Sequence, residues 1–157
     1  MTPTSNPYTV EVAAVESSPI AAIPAQTNFA ELPATITGLL DKVWPYLGAT
    51  DLVTGHNVVV YRDFDGESFD VEVGVQVDRA FDPPAGHEVR SSQLPTGRTA
   101  RTEHWGDYGE VHCAHVAVQQ WCEQNGHTFT ATNWEIYGDW SDDPAKRLTE
   151  VLYLLDD

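Results

Sequence analysis

The sequence predicts a single α+β domain in which a strand–helix–strand–strand order occurs twice. A chain of 157 residues is one ordinary domain, long enough to bury its own core. Two stretches repeat their apolar residues at helical spacing, and each is followed by alternating, strand-like segments. A short motif also occurs once in each half. These observations together indicate an internal duplication.

The first half contains one predicted helix. Residues 1–7 are expected to form a flexible tail, and residues 8–16 (YTVEVAAVE) a strand, followed by a connection rich in proline and alanine. Apolar residues then recur at helical spacing and predict a helix over about 31–47. Pro33 suits its first turn, whereas Pro45 is expected to bend or end it.

Two strands follow this helix. The near-continuous apolar run NVVVYRDF (57–64) is typical of a strand buried on both faces. The segment FDVEVGVQV (69–77) alternates apolar and mostly polar residues, as a half-buried strand does.

The second half repeats this order after an extra strand. Weaker strands are predicted at 87–93 and 98–104, around the turn LPTG, and a helix at about 107–125. The segments NWEIYGDW (133–140) and RLTEVLYLL (147–155) are the last two predicted strands.

The shared motif aligns the two halves. VVYRDF (59–64) and EIYGDW (135–140) both place a tyrosine, a spacer, an acid and an aromatic residue in the same order. Aligning Tyr61 with Tyr137 sets Glu135 in the position that Val59 occupies in the first half. We therefore expect one domain over residues 8–157, with repeats at about 8–78 and 97–155.

Glu135 is the most informative residue because it is an acid inside an apolar strand. Alternation puts Glu135 and Tyr137 on one face of the strand, and Trp134 and Ile136 on the other. At a wet edge the carboxylate would simply be solvated. In an apolar interior it would cost several kcal/mol unless it is compensated. The compensating group could be a cationic ligand, a water molecule that the acid activates, or a nearby arginine.

The composition excludes several classes of function. With 24 acidic residues against 8 Lys and Arg, the net charge is −16, which disfavours direct nucleic-acid binding and favours cationic small molecules or basic protein surfaces. No segment resembles a signal peptide or a membrane span, so a cytoplasmic location is expected. Cys113 and Cys122 lie nine residues apart on one predicted helix, about 13 Å along its axis, too far for a disulfide.

Metal and cofactor chemistry is not expected. The stretch HCAH puts His112 and His115 on one helix face, but third and fourth ligands at a known spacing are missing, and His115 lies in the apolar arc of the helix. Cys113 is on the polar side of the helix and has no features of a nucleophile. The sequence also contains no phosphate-binding glycine loop and no serine nucleophile motif.

Motifs along nearly the whole chain resemble the gyrase-inhibitor-like (GyrI-like) family of effector-binding domains. The same domain is found as the ligand-binding half of AraC- and MerR-type transcription regulators. The matching stretches are LLDKVWPYLGA, VVVYRDF, LPTGRTARTEHWGDYGEVHCAHVAVQQWCEQNG, WEIYGDW and LTEVLYLL. The most specific pieces are the Leu-Pro-x-Gly turn, the His-x-Gly-x-Tyr of His104, Gly106 and Tyr108, and the Glu-x-Tyr of Glu135 and Tyr137.

The resemblance implies a duplicated β-α-β-β fold, with a curved antiparallel sheet, two main helices and a central groove. It also implies that a glutamate at the position of Glu135 lies at the bottom of an aromatic pocket and neutralises lipophilic cations. Trp134 departs from the proline or small residue that many members have before the acid. In this respect the chain is similar to members that hydrolyse cyclopropane-bearing natural products. It also lacks the helix-turn-helix segment of the regulators.

These considerations give a set of candidate site residues and three functions. The candidate ligand-binding residues are Glu135, Tyr137, Tyr61, Trp105, Tyr108, Trp44, Trp134 and His104. The leading expectation is a stand-alone domain that captures a bulky aromatic or cationic small molecule. The second is a hydrolase in which Glu135 is the general base and Tyr137 orients water or protonates the leaving oxygen. The third is an acidic module that binds a basic protein such as a gyrase.

Overall fold

The computed structural model describes residues 8–156 and is an α+β domain with one eight-stranded antiparallel sheet and two α-helices. The predicted tail, residues 1–7, lies outside the described residues. The elements in chain order are β1 (Glu11–Val15), β2 (Pro19–Asn28), α1 (Leu32–Gly48), β3 (Thr54–Arg62), β4 (Ser68–Val77), β5 (Arg90–Gln93), β6 (Gly97–Trp105), α2 (Val111–Gln124), β7 (Phe129–Tyr137) and β8 (Leu148–Leu155). Single 3₁₀ turns at Tyr108–Glu110 and Pro144–Lys146 precede α2 and β8.

The sheet has two matching halves that meet at its centre. The strand order is β1-β6-β8-β7-β3-β4-β2-β5. The elements β2-α1-β3-β4 form one half and β6-α2-β7-β8 the other, and β3 pairs with β7 between them. The α+β class and the curved antiparallel sheet that the sequence indicated are confirmed.

The structure corrects the start of the first half. The predicted strand at 8–16 is β1, but β1 pairs with β6 at the edge of the second half. The strand that precedes α1 is β2, in the segment expected to be a proline- and alanine-rich connection. Small side chains are needed there because β2 lies very close to β4. A Cβ atom added to Gly74 would lie 1.9 Å from the carbonyl oxygen of Ala21.

Pro24 is compatible with β2 because of where the neighbouring strand ends. It pairs with Glu72 of β4 on one side, while the pairing of β2 with β5 ends at Ala22. The missing N–H of proline therefore interrupts no ladder on the other side.

The helices agree with the sequence except at one proline. Pro33 lies in the first turn of α1, as predicted, but α1 continues through Pro45 to Gly48. The proline is tolerated because it lies within the last turn, where few further backbone hydrogen bonds are lost. None of the helices within residues 8–156 is both long and apolar enough to cross a membrane.

Both helices pack on the same face of the sheet and leave its centre between them. Val43 and Leu47 of α1 pack with β2 and β4, while Ala114 and Val118 of α2 pack with β6 and β8. On this face, the central strands β3 and β7 therefore lie between the two helices.

The opposite face has its own core. The buried residues of this cluster are Ile20, Ala22, Val58, Val60, Leu94, Trp134 and Leu152. Burial on both faces explains the continuous VVV run in β3, whose valines at 58, 59 and 60 are all fully buried.

The two cysteines lie on different sides of α2. Cys113 is exposed and Cys122 is buried, and the two do not form a disulfide, as their helical spacing predicted.

Candidate functional site

Glu135 lies in the middle of the sheet, where its two halves meet. It pairs directly with Val59 in β3 and with Val151 in β8, and both valines are fully buried. Its partner in β3 is thus the residue with which the sequence motif aligned it. Glu135 and Tyr137 face the helices, whereas Trp134 belongs to the core of the opposite face, as strand alternation predicted.

The carboxylate of Glu135 is buried and holds three hydrogen bonds. Its side chain is only 6% exposed. The hydroxyl groups of Tyr61 and Tyr137 both donate to Oε1, at 2.8 and 2.5 Å. The other oxygen, Oε2, lies 2.6 Å from Nε2 of His115 in α2. Among the ion pairs of the described residues, none joins Glu135 to a lysine or an arginine.

A second layer of hydrogen bonds extends behind His115. Its Nδ1 lies 2.7 Å from the hydroxyl of Tyr153 in β8, and Nε2 of Gln119 donates to the same hydroxyl at 2.9 Å. A continuous chain of hydrogen bonds thus runs from Gln119 through Tyr153 and His115 to Glu135. We call these residues, together with Tyr61 and Tyr137, the Glu135 cluster.

The electrostatics of the cluster favour an ionised glutamate among protonated phenols. Burial alone would raise the pKa of Glu135, but the hydrogen bond and charge of His115, with the bonds from Tyr137 and Tyr61, together hold it below its ordinary value. Burial, followed by the charge of Glu135, raises the pKa of both Tyr61 and Tyr137 well above that of a free phenol.

The pKa of Tyr153 is raised in the same way. Burial is the main cause that raises its pKa to about 12, with a further contribution from Glu135, while the Gln119 hydrogen bond acts in the opposite direction. All three tyrosines therefore remain hydrogen-bond donors at neutral pH.

A group of aromatic residues connects the cluster to the surface. The ring of Tyr108, which is 38% exposed, meets that of Tyr137 edge-on, with centroids 5.6 Å apart. Trp140 lies beside Tyr108, and the guanidinium of Arg147 is 3.8 Å from the centre of the Trp140 ring. Arg147 also pairs with Asp107 and donates to the carbonyl of Ser141. These bonds hold Arg147 against the rings of Tyr108 and Trp140.

Trp44 projects from α1, is 40% exposed, and donates its indole N–H to Asn57 of β3 at 2.9 Å. It is therefore not a core residue.

Three other candidate ligand-binding residues, Trp134, Trp105 and His104, have their contacts away from Glu135. Trp134 is buried on the opposite face, because the alternation that turns Glu135 toward the helices turns Trp134 away from them. Trp105 is 56% exposed, and its indole N–H bonds Glu103 on its own strand. His104 is buried, but it hydrogen-bonds Tyr8 and the carbonyl of Asp107. Their assignment to ligand binding therefore stays a prediction.

The sequence did not identify His115, Tyr153 or Gln119 as site residues. The signal for His115 was present, since it lies in the apolar arc of α2 and a histidine there needs a buried polar partner. Its partner could not be chosen, because the contact depends on how α2 packs over the sheet. His112, one turn earlier, binds the carbonyl of Gly109 instead. Within residues 8–156, no group of three or more His, Cys, Asp or Glu side chains is arranged to hold a metal ion.

The cluster is closed in this structure. Two surface cavities of about 400 and 490 Å³ lie elsewhere, and neither is lined by a residue of the Glu135 cluster. The hydroxyl of Thr149 is buried without a hydrogen-bond partner among the described residues. Thr149 pairs with Tyr137 across β7 and β8, so this unused polar atom belongs to the same region of the sheet.

Solved structures with this architecture are known. The C-terminal domain of EcmrR has a TM-score of 0.78 and 18% identity, over 96% of this chain and 99% of that domain. SAV2435, in a structure with bound tetraphenylphosphonium, has a TM-score of 0.67 and 14% identity, over 94% of each chain. A hydrolase from Listeria innocua has a TM-score of 0.59 and 12% identity, over 94% of this chain and 91% of its own.

The chain therefore has the same fold as these proteins, in agreement with its resemblance to the GyrI-like family. In the EcmrR–DNA complex, the region that aligns with this chain makes up 58% of the EcmrR chain. No family model matches the sequence. No curated protein shows significant similarity to it.

Proposed function

We propose that this chain binds a bulky, lipophilic cation between α1 and α2, with Glu135 as the counter-charge. The observation that carries the proposal is a carboxylate at the centre of the sheet that is 6% exposed and forms no ion pair with a lysine or arginine of the described residues. An ordinary core would fill this position as the other half does, with a valine.

The hydroxyl groups of Tyr61 and Tyr137 stabilise the charge of Glu135 without neutralising it, because they are neutral donors. His115 also leaves that charge in place when its ring is neutral and donates through Nε2. The cluster then carries a net charge of −1 in a region of low dielectric, where attraction to a cation is much stronger than in water. Each aromatic face that meets the cation adds about 0.5–2 kcal/mol.

A ligand reaches Glu135 by displacing the side chains of Tyr61 and Tyr137. Tyr61 and Tyr137 cover one carboxylate oxygen, and Tyr137 in turn contacts the partly exposed Tyr108. Moving these rings opens a path from the surface to the carboxylate and lines it with aromatic faces. The unused hydroxyl of Thr149 offers a polar contact on the same side of the sheet.

The similar structure of SAV2435 supports this class of ligand, because it contains tetraphenylphosphonium. That cation also has an almost isosteric anion, tetraphenylborate. The pair therefore separates the contribution of charge from that of shape.

The proposal is tested by titrating the intrinsic tryptophan fluorescence with both ions. The wild type should bind tetraphenylphosphonium at least about tenfold more tightly than tetraphenylborate, a difference of about 1.4 kcal/mol. Glu135→Gln should remove most of this preference. Glu123→Gln, which removes one charge from the exposed side of α2, should leave it unchanged. Equal binding of both ions by the wild type, or a preference that persists in Glu135→Gln, would refute the proposal.

A hydrolase is the second candidate, and the paired phenols on Oε1 of Glu135 favour it. A buried carboxylate with two tyrosine hydroxyls has the components for deprotonating water and protonating a leaving oxygen. The fold is also that of a hydrolase from Listeria innocua. With an electrophilic cyclopropane substrate, Glu135→Gln would lower the rate constant for turnover and leave the affinity nearly unchanged. In a binding protein the same variant loses affinity.

A further inference from the structure

His115 is the one cation-capable side chain bonded to Glu135 in the described part of the chain. Its Nε2 lies 2.6 Å from Oε2, a distance typical of a strong, charge-assisted hydrogen bond. The side chain of His115 is 18% exposed, compared with 6% for that of Glu135.

The bonds behind His115 can serve both of its charge states. When the ring is neutral with its proton on Nε2, Tyr153 donates to Nδ1 while Gln119 donates to the oxygen of Tyr153. When the ring is protonated, Nδ1–H donates to that oxygen, which has a second lone pair for it. Neither state leaves a nitrogen of the ring without a partner.

Several other titratable groups lie around α2 in the described part of the chain. They are Tyr61 in β3, Glu135 and Tyr137 in β7, Tyr153 in β8, His104 in β6, and Tyr8 and Tyr108 outside the strands. Tyr61, Tyr137 and Tyr153 remain neutral in this range because burial raises their pKa, and His104 is bonded to Tyr8 and Asp107. On α2 itself, His112 is exposed and bonded to Gly109.

We infer that His115 determines which guest charge the Glu135 site accepts. With a neutral His115 the cluster has a net charge of −1 and accepts a monocation. With a protonated His115 the cluster has no net charge, so a cation finds no counter-charge there and a neutral or anionic ligand is accepted. Binding of a cation therefore releases a proton from His115. This inference rests on the proposed function and adds a charge selector to it.

Affinities of the two tetraphenyl ions between about pH 5 and 8, where histidines titrate, test the inference. In the wild type, the affinity for tetraphenylphosphonium should fall at least about fivefold on going from pH 8 to 5, while that for tetraphenylborate rises. His115→Gln keeps a donor toward Glu135 but has no titrating proton. In this variant, each of the two affinities should therefore change less than about twofold between pH 8 and 5. His112→Gln, a control on the same helix, should behave as the wild type.

A second measurement uses the wild type alone. Calorimetric titration of tetraphenylphosphonium at about pH 6, in two buffers of different ionisation enthalpy, should show proton release on binding. Cation binding without proton release, or a pH dependence that persists in His115→Gln, would overturn the role inferred for His115 but not the proposed function. Failure of the folded wild type to bind either ion at any pH would overturn the proposed function, and this inference with it.

Discussion

At the scale of single residues, the pKa of Glu135 leads to a prediction about stability in acid. Because its pKa is below that of an unfolded glutamate, about 4.3, Glu135 stabilises the fold at neutral pH. This contribution is lost as the pH falls through the lower, folded-state value. The free energy of unfolding of the wild type, measured with urea, should therefore decrease more steeply between about pH 5 and 3 than that of Glu135→Gln.

The comparison between the two proteins is essential here, because the other acidic residues titrate in both of them. Parallel pH profiles for the wild type and Glu135→Gln would contradict the expected contribution of Glu135.

The position of Glu135 in the sheet could be predicted from the sequence, whereas its contact with His115 could not. The strand pattern and the aligned motif are local, and they placed Glu135 on the same face as Tyr137 and opposite Val59. The bond from His115 to Glu135 joins residues from a helix and a strand. It depends on the rotation and position of α2 over the sheet, which no local pattern fixes.

At the scale of secondary structure, strongly patterned elements were predicted well and β2 was missed. The alternation of β4 and the valine run of β3 are direct consequences of burial on one or both faces. β2 has neither pattern, because its alanines are selected for close approach to β4. Its two prolines also suggested a loop. Pro24 is nevertheless compatible with a strand, because the pairing of β2 with β5 ends before it.

Gly74 should therefore be essential for the packing of β2 on β4. In Gly74→Ala the new methyl group would meet the backbone of Ala21 and Ala22, which cannot move without breaking the ladder. The free energy of unfolding should fall by more than about 2 kcal/mol.

Gly38→Ala is a matched control for this variant. Gly38 lies within α1, and a Cβ atom there meets nothing within 4 Å. Alanine should raise the free energy of unfolding by about 0.5–1 kcal/mol, since glycine is unfavourable in a helix. Similar urea denaturation midpoints for the two variants would contradict the close packing of β2 on β4.

At the scale of the whole molecule, the duplication explains why the site is at the centre. The two halves contribute β3 and β7 to the middle of the sheet, and each half covers its own strands with its own helix. Between the helices, the side chains of Tyr61, Tyr137 and His115 cover Glu135. The net charge of −16 also attracts cations to the whole surface, but it contributes no selectivity for this position.

A crystal structure of the chain with tetraphenylphosphonium tests the central claim most directly. The account predicts the cation between α1 and α2, with Tyr61 or Tyr137 displaced from Glu135 and aromatic rings around the phosphonium centre. The result that would contradict it is a cation bound only in another place, such as the cavity beside Pro24 and Arg62, with the three hydrogen bonds of Glu135 unchanged.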